Sequence, residues 1–520
     1  MFYDAVIVGG GHNGLVTGIY LAKAGWKVLV LERQSRAGGA IHTAELTLPG
    51  FRHDRYATNL NLFAGSPFYQ EFKQPLEANG LRFVPVTKPF CSLFPDDSHL
   101  AISTDLDASV ESFARFSQHD AEAWKTLATA FPQTAATLFP LLGEAMPSWG
   151  TVQALYRGWR EGGNEWLLET TRLLMSSSAE FADAHFEDPR SHALLAAWGM
   201  HLAFAPEMAG GALFSYLECM SNQAFGMVLG ENGADNLSTA LVSLFQQLGG
   251  ELILDAEVTS IEVDAGRARG VRVGEQRYTA TKAVIANITP KILFGHLIGA
   301  EHLPKPFMRK IGEFRYGVAA LMVHLALDEL PRWQASDEVR LFNYVHIGPY
   351  ATDMTRAHME ASAGLLPADP LLVIAQPTVA DPSRAPADKH ILWVQVRSVP
   401  TNINADALGQ INTTDWAIAK DAYADRVVEK ISRYAPGFEQ HILARAVDSP
   451  LDIEAVNPNL VGGDSLSGEH TLRQNFLFRP VPGWSRYKTP IRDLYIVGAS
   501  TWPGAGVGAG SGRLLGKMLT

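Results

Sequence analysis

The sequence predicts an α/β fold: a doubly wound, dinucleotide-binding half of Rossmann type, interleaved with an α+β half that carries a helical cap. Three observations predict it. A strand, a glycine turn, a helix, a second strand and an acidic residue follow one another within residues 4–32. A helix, a Gly-Gly break and several short strands occupy 230–287, and a buried-type strand at 493–498 opens a glycine-rich loop and a last helix. Between these blocks the apolar spacing is helical over 107–225 and strand-like over 311–483. At 520 residues the chain exceeds one ordinary core. The expected division gives residues 1–90, 226–300 and 485–520 to a discontinuous nucleotide-binding domain, and 91–225 and 301–484 to a substrate and cap domain.

The opening block is the most specific. After the apolar run Asp4 to Val8, the residues Gly9-Gly10-Gly11-His12-Asn13-Gly14 spell G-x-G-x-x-G. Gly9 permits the tight turn, Gly11 lets the backbone approach a pyrophosphate, and Gly14 allows close helix-strand packing. The helix start offers free N–H groups to phosphate. A second strand, Lys27 to Leu31, ends at Glu32, where a carboxylate can accept bonds from ribose hydroxyls; Arg33 follows in the same turn. The paired Gly38 and Gly39 suggest backbone passing close to a ligand.

Composition removes several function classes. A hydrophobic share of 47% with 19% charged residues describes a well-packed enzyme rather than a disordered or fibrous chain. The net charge of −11 and the lack of any Lys/Arg-rich stripe argue against a nucleic-acid partner. The two cysteines, Cys91 and Cys219, lie too far apart for a C-x-x-C motif, and no cluster has metal-ligand spacing, so no metal is expected. With a strand predicted from residue 2, a cytoplasmic location is the expectation. The nearest approach to a membrane span, His192 to Met220, is broken by Pro206, Glu207 and Glu218. Core helices explain that run most simply; a surface-lying apolar helix that touches a membrane peripherally and admits a lipid-soluble substrate is the sharper reading. Oligomeric state has no sequence signal.

In the second block, Gly230 to Asn236 precedes an amphipathic helix to Leu248. Gly249-Gly250, a strand from Leu252 to Leu254, strands over Glu257 to Val263 and Gly270 to Val273, and the run Ala283 to Ala286 follow. The closing strand, Asp493 to Gly498, leads into Ala499-Ser500-Thr501-Trp502-Pro503 and the glycine-rich stretch from Gly504 to Gly512. Backbone so rich in glycine fits closely against something flat or phosphorylated.

With these blocks in hand, the chain resembles the phytoene desaturase-like branch of the FAD-dependent amine oxidase superfamily over nearly its whole length. The strongest parts are Gly9 to Gly39 and the stretch from Gly462-Gly463-Asp464 through Phe476-Leu477-Phe478-Arg479-Pro480 to Gly512. That ending is most similar to the subfamily called pyridine nucleotide-disulfide oxidoreductase domain-containing protein 2 and to beta-carotene ketolases of the desaturase type. The resemblance implies FAD as cofactor. Gly9, Gly11 and Gly14 would hold its pyrophosphate, Glu32 and Arg33 the adenosine side, and Gly38 and Gly39 the flavin-side turn. Val258 would take the adenine, while Gly498, Pro503, Gly504, Gly506 and Val507 would run beside the ribityl chain and the isoalloxazine. Where many relatives carry an acid after the last strand's glycine, this chain has Ala499 and Ser500.

The implied chemistry is hydride transfer to flavin N5 from a hydrophobic, unsaturated substrate such as a carotenoid or another isoprenoid-like molecule, by desaturation or allylic oxidation. The chain has neither a close cysteine pair nor a second complete nucleotide fingerprint. Oxygen or a quinone is therefore expected as electron acceptor rather than a bound pyridine nucleotide. Arg55 or His53 could position or protonate substrate, and Trp502, inside the flavin loop, could face it. His201, Glu207 and His324 stand alone on apolar stretches and read as core. Three rivals remain: a redox-neutral flavin-dependent isomerase, a non-catalytic FAD-binding scaffold, and a flavin amine oxidase.

Overall fold

The computed structural model describes residues 2–520. The first strand, Phe2–Val8, is buried from Ala5 onward and lies between Val28–Leu31 and the long strand Gln276–Ala286, parallel to both. Glu251–Ile253 extends the sheet beyond Val28–Leu31, and Leu494–Ile496 pairs in parallel with the second half of Gln276–Ala286. The hairpin of Ser260–Asp264 and Arg267–Val273 adds antiparallel to the first half of the same long strand. Register decides where a ligand can sit: Val8 stands opposite both Leu31 and Ala286, so Gly9, Glu32 and Asn287 emerge at one edge. That edge, at the carboxyl ends of parallel strands, is where open α/β sheets bind ligands.

Three helices pack together over one face of this sheet. The fingerprint helix His12–Lys23 shares a core with Asp235–Gln247, and the last helix Gly510–Leu519 crosses it closely. The crossing depends on small residues one turn apart: a Cβ on Gly516 would come within 2.7 Å of Tyr20 Cβ, and one on Gly512 would strike the Asn13 carbonyl. The last helix begins at Gly510, and Val258 precedes the hairpin strand instead of lying within it.

The second sheet has seven strands, in the order Ile442–Asp448, Ala319–Leu327, His390–Val399, Leu371–Ala375, Tyr344–Ile347, Phe90–Leu93 and His99–Ile102. Alternation gives it two different faces. Leu321, Val323, Leu325, Val345, Ile374, Val394 and Val396 pack aliphatically against the helix Trp416–Tyr434. The opposite face carries Met322, Tyr344 and Trp393, which join the core of the cap. Sequence reading finds these long strands but not their unlike faces, because both faces are buried and the alternation is not apolar-polar.

Six helices between Leu106 and Phe225 form the cap. Of the two readings of 192–220, the simpler one, core helices, holds and the surface helix does not: Leu194, Leu195, Trp198 and Met200 of Pro189–His201, with Leu213 and Met220 of Gly211–Phe225, are interior. Most of the cap's exposed large apolar side chains belong to Trp149–Met175, where Trp149 is 73% and Leu168 68% exposed. Among the described residues no helix is long and apolar enough to cross a membrane.

One buried ionic network joins segments far apart in sequence. Arg384 is fully enclosed; its Nη1 lies 2.5 Å from Asp54 Oδ2, its Nε 3.1 Å from Asp381, and its Nη2 donates to Gly230 O. Asp54 also accepts from Thr43 Oγ1 and from the Ala234 N–H. Burial alone would raise the Asp54 pKa, but the Arg384 charge and these donors outweigh it and hold the carboxyl below its usual range. Removing one partner of a buried pair leaves the other charge uncompensated, so Asp54→Ala should cost about 3–5 kcal/mol in urea unfolding at neutral pH. Because the folded pKa is depressed, this stabilisation is fully present above the unfolded value near ~4 and disappears as pH falls through the folded one. The wild type should accordingly lose more stability than the variant on acidification below pH ~4; parallel loss would assign the pair no such role.

Candidate functional site

The glycine turn leaves no room for side chains. Gly9 has φ +93°, a conformation reserved for glycine, and a Cβ on Gly14 would come within 2.7 Å of the Gly9 carbonyl oxygen. Gly11 ends the turn as helix cap and supplies no side chain to the first helical N–H groups. They face the strand edge uncapped, a ready seat for an anion. Glu32 is 7% exposed; one oxygen accepts from the Gly10 N–H at 2.7 Å and the other from the Gln34 N–H at 2.9 Å. Arg33 points away to the surface, 3.6 Å from Glu257. Val258 lies between bonded neighbours, Ala256 N–H to Glu32 O and Thr259 N–H to Arg272 O, while its own main chain has no such partner among the described residues.

Two residues that sequence reading passes over tie this region together. The Asn287 amide donates to the carbonyls of both Gly9 and Gly11, at 3.2 and 3.3 Å, and its Oδ1 lies 2.8 Å from where a Cβ on Gly498 would stand. One side chain thus touches the first turn and the end of the last strand. The only hint in sequence is its place directly after the strand ending at Ala286. Arg36 donates to the carbonyls of Ala37, Gly39 and Ile41 and shapes the Gly38-Gly39 turn, whose Gly38 N–H bonds Gly10 O at 2.9 Å.

At the other end, the Gly498 N–H donates to Ser511 Oγ at 2.9 Å, and the Gly512 N–H to Asn13 Oδ1 at 3.1 Å, which seats the last helix beside the first. The intervening loop is held by His470: its Nε2 accepts from the Ala505 N–H at 3.1 Å, and a Cβ on Gly504 would meet its ring at 2.5 Å. Burial holds this imidazole neutral, well below its usual pKa. Gly506 faces Leu62, while Val507 is buried and Pro503 only partly so. Arg479, fully enclosed, donates to the carbonyls of Ala499, Gly468, Glu469 and Gln474, and burial lowers its pKa to about 10. Ala499, which stands where many relatives carry an acid, is therefore held through its backbone.

The three residues singled out for chemistry sit in closed surroundings. Arg55 makes a two-pronged bond to Asp448, both contacts 2.7 Å. Burial opposes its charge, but Asp448 prevails and the pKa is raised, so Arg55 holds its proton rather than giving it away. His53 is fully buried, bonded to Thr47 at 2.8 Å and edge-on to His324 at 5.4 Å; burial, with His324, keeps it neutral. Trp502 is 1% exposed, its indole N–H bonded to Glu144 O at 2.7 Å and its ring tilted against Phe476.

A second concentration of polar rings lies where the cap packs on the second sheet. His201 and His346 approach Nε2 to Nε2 at 3.1 Å; burial pushes His346 down to about 3 and His201 also far down. Tyr344 lies parallel to Trp393 at 6.1 Å. A cavity of about 390 Å³ extends past Phe204, Met208, Tyr316 and His358 to His470, the residue that holds the terminal loop. Among the described residues no cluster of potential ligands could hold a metal ion. Free N–H groups at a helix start, an unpartnered main chain at Val258 and Cβ-intolerant glycines at both ends of the edge suit an extended dinucleotide such as FAD.

The chain has relatives among known proteins. Residues 14–501 match the family model described as flavin containing amine oxidoreductase. The chain is 27% identical to the pyridine nucleotide-disulfide oxidoreductase domain-containing protein 2 of Mus musculus, over 98% of this chain and 92% of that one. It is 28% identical to a limonene dehydrogenase component of Castellaniella defragrans, over 99% and 94%. A putrescine oxidase structure superimposes with a TM-score of 0.63 at 14% identity, covering 100% of this chain and 98% of the other, which supports the fold.

Gly14→Ala forces a side chain into the Gly9 carbonyl and should yield a folded protein that purifies without flavin absorbance. Retention of stoichiometric flavin by this variant would move the pyrophosphate away from the turn.

Proposed function

The chain belongs to the flavin containing amine oxidoreductase family and is an FAD-dependent oxidoreductase, and from that premise we propose that it oxidises a hydrophobic, unsaturated molecule held between the second sheet and the cap. Bound FAD supplies the hydride acceptor at N5. We assign the pyrophosphate to Gly9, Gly11 and Gly14, the ribose to Glu32, the adenine to Val258, and the isoalloxazine to the loop from Gly498 to Val507. Residues 1–90, 226–300 and 485–520 serve as the cofactor domain, and 91–225 with 301–484 as the substrate domain. Oxygen or a quinone serves as terminal electron acceptor.

The observation that carries the substrate reading is the cavity of about 390 Å³ between the cap and the second sheet, with Leu202, Phe204, Met208, Val318 and Val399 on its wall. The closed core beside it holds Met322, Trp198, Tyr344 and Trp393, and its imidazoles stay neutral at ordinary pH. Such walls exclude water and orient a carbon against a hydride acceptor without a strong base. Arg55, fixed on Asp448, then positions the segment that carries His53 and Asp54 instead of moving a proton. Trp502 and Phe476 close the loop side. A relative named for limonene, an unsaturated hydrocarbon, supports the same class.

Amine oxidation is the second reading, favoured by the parallel Tyr344 and Trp393 rings, which could flank an amine. The charge of Arg397 acts on Tyr344 and disfavours a cation there. Under anaerobic conditions an unsaturated apolar compound extracted from the purified protein should bleach the flavin, and oxygen or a quinone should restore its colour. Bleaching by simple alkylamines alone would establish the second reading, and rapid stoichiometric bleaching by NADPH would refute the assigned acceptor.

A lipid-soluble substrate also gives the exposed helix a use. Trp149, Val152, Tyr156 and Trp159 recur at helical spacing along one exposed stripe. Tryptophan and tyrosine favour the headgroup level of a bilayer. Phosphatidylcholine vesicles, which do not repel a chain of charge −11, should sediment the protein, and Trp149→Ser with Trp159→Ser should leave it in the supernatant. Equal sedimentation of both forms would reject this face as the contact.

A further inference from the structure

The fully buried cations in the second half of the molecule are matched, whereas two part-exposed arginines, Arg397 on the second sheet and Arg513 on the last helix, each keep an Nε shielded from solvent without a partner. Arg384 has Asp54 and Asp381, Arg426 has Asp406, Lys430 has Asp369, and Arg479 has four carbonyls. Arg397 has no carboxylate within ion-pair distance among the described residues; the charge of Asp464 acts on it only from farther away. Its Nη1 makes a single long bond of 3.3 Å to Ser465 Oγ, and its Nε is shielded from solvent without any partner. Burial lowers its pKa to about 10, which still leaves the guanidinium charged at neutral pH. A shielded cation with unused donors is costly unless an anion completes it.

Its place in the fold shows what could do so. In the strand His390–Val399, Arg397 alternates with Trp393 and Gln395, on the face turned toward the cap, and stands opposite Ala320 and Leu371 on the neighbouring strands. Its charge reaches His201, His346 and Tyr344 and helps to hold both imidazoles neutral. It therefore belongs to the wall assigned above to substrate, not to the glycine-lined edge assigned to the cofactor. Residual exposure of the residue leaves it open to a ligand.

We propose that Arg397 anchors a carboxylate of the substrate, so that the molecule oxidised is an apolar chain or ring system ending in an acid rather than a plain hydrocarbon. The guanidinium fork matches a carboxylate in two bonds, with Ser465 beside it. The apolar body then extends into the cavity walled by Val318, Val399, Phe204 and Met208, and one fixed end sets which carbon meets the hydride acceptor. This rests on the reading that the second sheet and cap enclose the substrate.

The test uses the flavin-loaded protein and two probes of equal length, oleate and oleyl alcohol, measured by isothermal titration below their aggregation concentrations. Wild type should bind oleate at least about 10-fold more tightly, and Arg397→Gln should remove about 10- to 100-fold of oleate affinity while leaving the alcohol unchanged. Arg397→Lys should keep part of the preference, and both variants should keep full flavin content. Equal binding of the two probes by wild type, binding of neither, or an unchanged preference in Arg397→Gln overturns the proposal. Loss of flavin from both variants also overturns it, since the arginine would then serve the cofactor. Failure of apolar compounds to bleach the flavin, with the oleate preference intact, would instead count against the oxidation chemistry alone.

Discussion

The structure depends on bringing backbone from both ends of the chain and its middle to one strand edge with no side chain between them. Gly9 and Gly14, Asn287, and Gly498 with Gly512 meet there. The approach is steric before it is attractive: a Cβ on Gly14 or Gly512 would overlap a carbonyl oxygen. Once those positions are empty, weak bonds suffice to fix the geometry, and the Asn287 amide spans 3.2 and 3.3 Å to two carbonyls of the turn. Hydrogen bonds add about 1 kcal/mol each, whereas forcing a methyl into such a space costs at least as much as overpacking a core.

The same constraint explains what can be read from sequence. Glycines that exclude a Cβ show themselves one by one, so the Gly9 to Gly14 turn, the Gly38-Gly39 pair and the terminal run are legible. Asn287 is not, because its role joins residues 278 positions apart and an asparagine after a strand has many uses. Arg55 stands out in sequence as a charge near the site, yet its bond to Asp448, 393 positions away, decides that it positions rather than reacts. Arg384 is a further case, since a lone arginine in a Pro-rich stretch gives no sign of enclosure by two aspartates. The apolar run 192–220 admits two readings in sequence, and packing against the sheet settles it as interior.

The second sheet divides its labour by face. The aliphatic side fastens the helix Trp416–Tyr434 through a continuous core and supplies rigidity. The cap-facing side then bears groups that would weaken an ordinary core: His346, paired with His201 of the cap, a guanidinium with no carboxylate at ion-pair distance, and several unpaired ring nitrogens. Placing such groups on a strand held firmly from behind keeps their positions fixed at a cost the aliphatic face can offset.

That cost also bears on catalysis. With His346 near 3, and His53 and His201 held neutral by burial, none of these rings is a competent base at neutral pH. Arg55 is locked to Asp448, which leaves Glu218 of the cap, raised by burial to about 7, as the group near this wall that could take a proton. A reaction that moves a hydride demands less of such groups than one that must first remove a proton, because both electrons leave with the hydrogen. What it demands is a dry, oriented approach, which the aromatic lining and the closed terminal loop supply. The unmatched Arg397 is then the one strongly directional group left on an apolar wall, and direction is what an otherwise featureless hydrophobic substrate lacks.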